Sequence, residues 1–300
     1  MVQKLKTNMF SKSIDIVVPT YNRPNEIKKF IYEIQKQTYL NYKVYIIDDC
    51  GSEDIKSLIP KNDAHFAYER LKENSGQAYA RNYASTLGEG DIIIFMDDDA
   101  YFIQDNSLDL VLEYFEENED VGFTMFNIKE PNRDWLSKRK NLNDFQEIGG
   151  FIACGCAFRR STFLNSPGFS KEFHSYAEET DISMQLIKNS EKLVFASRVK
   201  VFHNYNPTER TQAWLKRFKY NTVRNDLAIV LTRYPTIYVI PNYIGKIISH
   251  LVFTLKFEKH KRLNFACIFK GAFASFYLSR KLKRDPLTMK QYDYWKSRRI

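Results

Sequence analysis

Three consecutive aspartates, Asp97-Asp98-Asp99, directly follow the apolar run of residues 92–96. Five apolar residues rich in β-branched side chains predict a buried parallel strand. Three carboxylates where such a strand ends cannot belong to the core, because burying an unpaired carboxylate is too costly. Open α/β sheets bind ligands at these strand ends, and clustered carboxylates there suit a hard divalent cation that bridges to substrate phosphates. The alternative is an acidic turn that caps the next segment.

Strand-like and helix-like patterns alternate over the first two thirds of the chain. This alternation predicts an α/β fold with a mostly parallel, right-handed sheet flanked by helices. A charged, poorly periodic stretch at 131–147 is expected to form a loop over the site. Strands are predicted at 14–18, 42–47, 65–68, 91–96, 121–128 and 193–203, and helices at 25–37, 54–58, 76–88, 108–117 and 176–188.

The charge is divided unevenly along the chain. Residues 216–300 carry 19 Lys and Arg against 4 Asp and Glu, whereas residues 1–215 carry 26 against 32. Two apolar, aromatic stretches at 236–257 and 263–279 are interrupted by basic residues, so neither offers the clean apolar length of a spanning helix. Basic amphipathic helices lying on an anionic membrane surface fit this pattern. The alternative is a helical subdomain packed on the sheet with a solvated basic face.

The remaining composition favours an intracellular globular protein. The four cysteines have neither zinc-ligand spacing nor the pattern of a disulfide framework, which indicates a reducing cytosol. Residues 1–12 form a polar, lysine-bearing extension without the apolar segment of a secretory signal. We therefore expect a cytoplasmic protein that contacts the inner face of the cell membrane peripherally. The sequence gives no indication of an oligomeric state.

Four motifs occur in order along the first hundred residues and together resemble family 2 glycosyltransferases of the GT-A fold, such as those of bacterial surface polysaccharides. The resemblance covers residues 12–205. It rests on the sequence runs Val-Val-Pro-Thr-Tyr-Asn-Arg at 17–23, Asp-Asp at 48–49, Asn-Ser-Gly-Gln-Ala-Tyr-Ala-Arg-Asn at 74–82 and Phe-Met-Asp-Asp-Asp at 95–99.

The resemblance implies a nucleotide-sugar donor bound at the carboxyl ends of the strands, with a UDP-sugar favoured over dTDP- or GDP-sugars. Asp49, or alternatively Asp48, would accept from the N–H of the base, because the extra Cys50 leaves both registers open. Arg81 would lie near the ribose or phosphate. The implied donor-binding residues are Pro19, Thr20, Tyr21, Asn22, Asp48, Asp49, Gly76, Arg81, Asp97 and Asp98.

The same resemblance implies a divalent cation, Mg²⁺ or Mn²⁺. Asp99 would bind the ion that bridges the diphosphate, Asp97 would contact ribose or the ion, and His203 would add a further ligand. A bound cation stabilises the charge that develops on a departing nucleoside diphosphate. A structural role is the alternative for His203.

The catalytic base is implied by the run Glu-Glu-Thr-Asp-Ile-Ser at 178–183. In an inverting transfer one carboxylate removes the proton of the acceptor hydroxyl as that oxygen attacks the anomeric carbon. Glu179 is the candidate, with Glu178 and Asp181 as alternatives. Acidic residues in the first turn of a helix are also favourable without any catalytic role.

The prediction is a metal-dependent, inverting hexosyltransferase that acts on a glycan or lipid-linked oligosaccharide. Its parts would be residues 13–100 for the nucleotide, 101–210 for the acceptor, and a basic helical region at 211–300. A sugar nucleotidyltransferase is disfavoured because no Gly-rich phosphate loop follows the first strand. A catalytically inactive nucleotide-sugar-binding scaffold and a nucleic-acid-binding protein are also possible; in the latter, the acidic sheet region would repel phosphate chains.

Overall fold

The computed structural model describes residues 11–130, 142–173, 176–205, 211–258 and 260–299. Its strands are β1 (Ile14–Thr20), β2 (Tyr42–Asp48), β3 (Phe66–Arg70), β4 (Ile92–Met96), β5 (Ala100–Phe102), β6 (Val121–Lys129), β7 (Gly155–Arg159) and β8 (Lys192–His203). Its helices are α1 (Pro24–Ile34), α2 (Gln77–Ser85), α3 (Ser107–Glu116), α4 (Arg160–Leu164), α5 (Glu178–Lys188), α6 (Gln212–Arg233), α7 (Thr236–Phe257), α8 (Lys261–Leu282) and α9 (Met289–Ser297).

The described strands form one eight-stranded mixed sheet in the order β3-β2-β1-β4-β7-β6-β8-β5. Strands β1 to β4 pair only in parallel with one another, and β6 pairs in parallel with β8. Strand β7 runs antiparallel between β4 and β6, and β5 is antiparallel to β8. The predicted parallel half is therefore present, and antiparallel pairings join it to the second half.

The local sequence explains the elements of the nucleotide half. Helix α1 begins at Pro24, whose fixed φ suits a first helical turn. Its apolar residues recur at helical spacing, and that face is buried against the sheet: Ile27, Phe30, Ile31 and Ile34. All five residues of β4 are buried, as expected for a parallel strand covered on both faces.

Three short elements differ from the sequence prediction. A single 3₁₀ turn at Lys56–Leu58 stands where a helix over 54–58 was predicted. Strand β5 and helix α4 were not predicted, because each has at most five residues and shows no readable period. Strand β5 forms because it pairs with β8, about a hundred residues later in the chain. The predicted loop at 131–147 lies largely outside the described residues, as do residues 1–10 of the predicted extension.

Helices α6 to α9 pack onto the sheet and onto one another. Residues of α6, α8 and α9, including Ala228, Leu278 and Trp295, belong to the same core cluster as side chains of the sheet. A smaller cluster joins α6 to α8 through Val223, Leu227 and Ile268. The core thus continues across the predicted boundary at residue 211. Among the described helices, none has the length and hydropathy needed to cross a membrane.

Candidate active site

Strands β2, β1 and β4 are neighbours in the sheet and end side by side at Asp48, Thr20 and Met96. Thr20 is directly opposite Asp48 in the register of β1 and β2. Because these strands are parallel, the three polar segments that follow them meet at one edge of the sheet. The sequence motifs are therefore brought together, as the prediction required.

The segment after β1 presents one exposed ring and one buried hydroxyl. Pro19 lies within β1, and the hydroxyl of the buried Thr20 donates to Asp98 at 2.7 Å. Tyr21 is 48% exposed, so its ring is open to a ligand. Asn22 has a left-handed backbone with φ of 56°, and its side-chain oxygen accepts from the loop after β2. That bond ties the two loops together.

The two aspartates after β2 face different partners. Asp49 accepts from the backbone N–H groups of Ser75 and Gly76 at 2.7 and 2.8 Å, and so fixes the loop that begins α2. Gly76 has φ of 85°, a conformation that favours glycine. Asp48 accepts from the N–H of Gly51 at 2.9 Å on one oxygen, and from Tyr68 and Arg70 on the other. Burial raises the pKa of Asp49 despite its backbone donors.

Arg81 of α2 is fully buried and points to the first aspartate of the triplet. Its Nη2 donates to Asp97 Oδ1 at 2.6 Å, and its guanidinium lies 5.4 Å from the centre of the Phe169 ring. Its Nε and Nη1 have no hydrogen-bond partner among the described residues. Burial alone would lower the pKa of Arg81, but Asp97, Glu179 and Glu178 raise it. A cation with unused donors in this position suits an anionic ligand.

The other two aspartates of the triplet share Arg23. Its two terminal nitrogens lie 2.8 Å from Asp98 Oδ1 and 2.7 Å from Asp99 Oδ2. Burial raises the pKa of Asp98 to about 7, although Arg23 opposes this shift. Burial would also raise the pKa of Asp99, but His203 and Arg23 lower it. Asp98, which is bonded to Thr20 and Arg23, thus joins the loop after β1 to the triplet.

His203 ends β8 and lies among four possible metal ligands. Its Nε2 is 3.2 Å from Asp99 Oδ1, at an ion-pair distance but without hydrogen-bond geometry, and its Nδ1 contacts Glu130 and lies 3.6 Å from Cys154 Sγ. Burial would lower the pKa of His203, yet Cys154, Asp99 and Glu130 raise it. Among the described residues, Asp97, Cys154 and His203 have ligand atoms within 4.8 Å of one another.

The first turn of α5 lies across from this edge. Tyr176 and Ala177, just before the helix, both have left-handed backbones, with φ of 67° and 75°. Such conformations in non-glycine residues cost about 1–3 kcal/mol each and are found at functional sites. Glu178 is buried and accepts from Gln77 at 2.7 Å. Glu179 reaches the surface in part; removal from water and the Glu178 carboxylate nevertheless raise its pKa to about 8.

Asp181 has a different environment from the two glutamates. It is buried, and its oxygens accept from Arg233 Nε at 2.6 Å and from Gln185 at 2.8 Å. Burial raises its pKa although Arg233 opposes the shift. This ion pair joins α5 to α6. Both oxygens of Asp181 are engaged inside the protein, so the geometry favours Glu179 over Asp181 as an acceptor of a substrate proton.

Sequence reasoning missed three residues of this site. Arg23 lies inside the first of the four motifs, and a lone cation opposite three carboxylates was the signal that could have found it. Cys154 sits in an apolar stretch, where a small buried residue gives no functional signal. Gln77 connects α2 to Glu178 across 101 positions of sequence, a contact that only the fold reveals.

The family model described as Glycosyl transferase family 2 matches residues 15–167, about half of the chain. The chain belongs to glycosyl transferase family 2. It is therefore a glycosyltransferase, as the four motifs predicted, and the sugar nucleotidyltransferase alternative is excluded. All four motifs lie within the matched residues.

Curated relatives include enzymes of bacterial surface polysaccharides. The O-antigen chain rhamnosyltransferase WbaN of Salmonella anatum is 24% identical over 220 residues, which are 67% of this glycosyltransferase and 69% of WbaN. The chain spans only 16–62% of the length of three relatives that are 31–37% identical to it.

Two solved structures have a similar fold. TarS residues 1–349 of S. aureus give a TM-score of 0.65 at 18% identity, with 88% of this chain and 80% of that chain covered. The mannosyltransferase PcManGT of Pyrobaculum calidifontis, solved with GDP-Man and Mn²⁺, gives 0.63 at 16% identity, with 97% and 85% covered. The predicted GT-A-like α/β fold is confirmed, with the correction that three of the seven described strand pairings are antiparallel.

Proposed function

We propose that this glycosyltransferase moves a hexose from a nucleotide sugar to a hydroxyl of a glycan or lipid-linked glycan, with inversion, in bacterial surface polysaccharide synthesis. The observation that carries the proposal is the placement of Arg81 between two sets of carboxylates. Its guanidinium bonds Asp97, and Glu178 and Glu179 also raise its pKa. A donor diphosphate and a catalytic base can therefore lie on either side of one buried cation.

The donor would occupy the edge formed by β1, β2 and β4. Tyr21 offers an exposed ring for the base, Asp49 or Asp48 an acceptor for its N–H, and Asp97 a ribose contact. The unpartnered Nε and Nη1 of Arg81 would bind the diphosphate. TarS has been solved with UDP and PcManGT with GDP-Man, and we favour a UDP-sugar as donor.

The transfer step follows from the position of Glu179. Its carboxylate would take the proton of the acceptor hydroxyl as that oxygen bonds to the anomeric carbon. The bond from the anomeric carbon to the diphosphate oxygen breaks at the same time, and the nucleoside diphosphate leaves with the electron pair. Arg81 would stabilise the charge on that leaving group.

Asp97, Asp99 and His203 fit a divalent cation. Carboxylate and imidazole ligands suit Mn²⁺, and the nearby thiol of Cys154 makes the ligand set less suitable for Mg²⁺, which prefers oxygen. A bound cation would neutralise charge on the diphosphate. We propose that Asp99 exchanges its contact with Arg23 for this ion.

Asp99→Ala tests the donor and metal assignment. We expect Mn²⁺-dependent release of nucleoside diphosphate to fall at least about 100-fold, because one ligand of the ion is lost. Asp120→Asn is the control, since Asp120 is an exposed aspartate that pairs with Lys192 before β6. Undiminished Mn²⁺-dependent turnover in Asp99→Ala contradicts the assignment. Loss of turnover in Asp97→Ala alone would instead assign the ion to the group of Asp97, Cys154 and His203.

A cavity of about 850 Å³ beside this edge is proposed to receive the acceptor. Its lining includes Gly76 before α2, Tyr176 before α5, and residues of α6. The rings of Trp214 and Phe218 stack at 4.9 Å with an interplanar angle of 18°. Flat aromatic faces pack well against the C–H faces of sugar rings, and Lys171 and Arg217 add positive charge for a phosphate group.

Trp214→Ala tests the acceptor assignment. We expect the KM for the acceptor to rise about tenfold through loss of the aromatic surface, while donor hydrolysis without acceptor stays unchanged. Tyr32→Ala is the control because Tyr32 is an exposed aromatic residue of α1, outside the cavity. An unchanged acceptor KM, or an equal loss of donor hydrolysis, would reject the cavity as the acceptor site.

We further propose that the glycosyltransferase is cytoplasmic and works in peripheral contact with the inner face of the cell membrane. The basic last third of the chain supports this contact, and no nucleic acid is proposed as a partner. In the part of the chain that the structure describes, the four cysteines are unpaired, as in a reducing compartment.

A further inference from the structure

We propose that one outer surface of α7 and α8 lies in the headgroup region of an anionic lipid bilayer. This docking face consists of Ile240, Ile244, Ile248, Val252 and Leu255 of α7 with Phe269, Phe273, Phe276 and Tyr277 of α8. It deepens the proposed function by naming the surface that meets the membrane, and its link to a lipid-linked acceptor rests on that function.

Helix α7 is apolar on two opposite sides. Its inner side chains Tyr243, Ile247 and Leu251 pack against the cluster that joins α6 to α8. Its outer side chains recur every three or four residues, and Ile244 and Ile248 are each 53% exposed. A helix on the surface of a globular protein normally presents polar residues outward. A continuous apolar stripe on the outer side therefore indicates an apolar environment.

Helix α8 extends the same surface. The ring of Phe276 lies 5.5 Å from that of Tyr243, and the Tyr243 hydroxyl donates to the carbonyl of Ala272 at 2.9 Å. These contacts bring the exposed aromatic residues of α8 beside α7. Phe273, the most exposed of them, has 82% of its side chain accessible. Large aromatic residues of this kind are typical of helices that lie at a membrane interface.

The charge around the docking face favours anionic lipid as its partner. Residues 236–284 contain ten Lys and Arg and a single acidic residue, Glu258. Glu258 is neutralised locally, because it bonds Lys219, Thr254 and Asn264. Exposed basic residues lie near both ends of α8: Lys261, Arg262, Arg280 and Lys281. A second copy of the chain would bring a like-charged rim against this one, whereas anionic headgroups would neutralise it.

The docking face ends next to the proposed acceptor cavity. Lys219 lies on α6 between Phe218 and Tyr220, two residues that line the cavity. Its ammonium group is 3.1 Å from Glu258 and 5.6 Å from the centre of the Phe253 ring at the end of α7. An acceptor whose lipid stays in the bilayer could thus present its sugar to the cavity over a short distance.

The test is flotation of the full chain with phosphatidylcholine vesicles that contain about one third phosphatidylglycerol, at low ionic strength. For Ile244→Glu/Ile248→Glu we expect the partition coefficient to fall at least about tenfold, because two carboxylates would enter the apolar interface. The matched control is Leu40→Glu/Leu164→Glu, at side chains 63% and 55% exposed outside the docking face. It carries the same charge change, and we expect it to float within about twofold of the wild type.

Equal flotation of the two double variants, or no flotation of the wild type, overturns the proposal. A wild-type dimer that the docking-face variant alone makes monomeric would assign the face to a second copy instead. Donor hydrolysis without acceptor should be equal in the wild type and both variants. Its absence from the wild type would refute the proposed function while leaving the vesicle result valid. Transfer to a lipid-linked acceptor in vesicles should fall in the docking-face variant, and transfer to a short soluble glycan should not.

Discussion

Glu179 and Asp181 lie two positions apart in α5, and the fold gives them different surroundings. Asp181 is held by Arg233 and Gln185, whereas Glu179 shares its environment with a second carboxylate, Glu178. Two neighbouring carboxylates cannot both ionise freely, so a proton is held longer on the pair. That property belongs to a group that accepts a proton near neutral pH.

We expect Glu179→Gln to keep donor affinity while turnover falls at least about 100-fold, because an amide cannot take the acceptor's proton. In the wild type, kcat/KM should rise with pH through an inflection near 8, since only the deprotonated form is a base. Nucleoside diphosphate release across a pH series measures both effects.

Glu178→Gln is the matched control for this pH dependence. It removes the like charge beside Glu179, so the inflection should move to lower pH while turnover at the plateau is kept. An inflection that stays in place in this variant, or a Glu179→Gln enzyme with wild-type turnover, would contradict the assignment.

The identity of the site residues could be predicted from sequence, whereas their contacts could not. Asp97, Asp98 and Asp99 were predicted at the strand end, and the structure brings them there. Their division among Arg81, Thr20, Arg23 and His203 depends on backbone directions that a run of three identical residues does not encode. The roles of the individual residues in catalysis stay predictions.

At the scale of the elements, the Asp181–Arg233 ion pair joins the helix that carries the candidate base to α6, which follows it in the chain. Both side chains are buried. Breaking such a pair leaves one buried charge without a partner, which costs more than replacing both members. The position of α5 therefore depends on a residue at the end of α6.

We expect Asp181→Asn to lower the free energy of unfolding by about 3–5 kcal/mol, and Asp181→Leu/Arg233→Met to lower it by less. Urea unfolding followed by circular dichroism measures the difference. Asp120→Asn removes one partner of an exposed pair and should change stability by less than about 1 kcal/mol. If Asp181→Asn unfolds like the wild type but loses turnover, the base is Asp181 and not Glu179.

Strong periodicity identified some elements and failed for others. The bounds predicted for 236–257 coincide with α7, whose apolar residues dominate its composition. Helix α6 was not predicted, because its buried positions include Lys219, Asn221 and Asn225, which blur the apolar pattern. These polar residues are buried because other helices and loops supply their partners, for example Glu258 for Lys219 and Phe173 for Asn225.

At the scale of the whole molecule, α9 closes the fold over the second half of the sheet. Gly149 donates to the carbonyl of Arg298 at 2.7 Å, and Gln291 donates to the carbonyl of Lys188 at the end of α5. A Cβ on Gly149 would lie 2.5 Å from the carbonyl oxygen of Trp295. This close approach of two backbones needs a glycine.

Gly149→Ala should therefore lower the free energy of unfolding by about 1–3 kcal/mol, because α9 must shift away from the new methyl group. Gly150→Ala is the neighbouring control: its Cβ would meet no atom within 4 Å, and we expect a change below about 0.5 kcal/mol. Thermal and urea unfolding compare the two. Equal stability of both variants would show that the contact with α9 is not tight.

The whole architecture was predictable in its first half and less so in its second. Strands β1, β2 and β4 follow a local rule in which apolar runs end in polar motifs. The packing of α6 and α9 into the same core as the sheet follows no local rule, because it depends on contacts such as Arg298 with Glu147, 151 positions apart. Basic charge in the last third predicted a surface function and concealed this structural one.

The long reach of α9 has a consequence for biosynthesis. A ribosome makes the sheet and α5 well before it makes α9, and nascent domains begin to fold as they emerge. Until Tyr292 and Trp295 are translated, the part of the core that they fill stays open. The catalytic half of this glycosyltransferase is thus completed late, and a stalled or shortened nascent chain would present an unfinished core to chaperones and proteases.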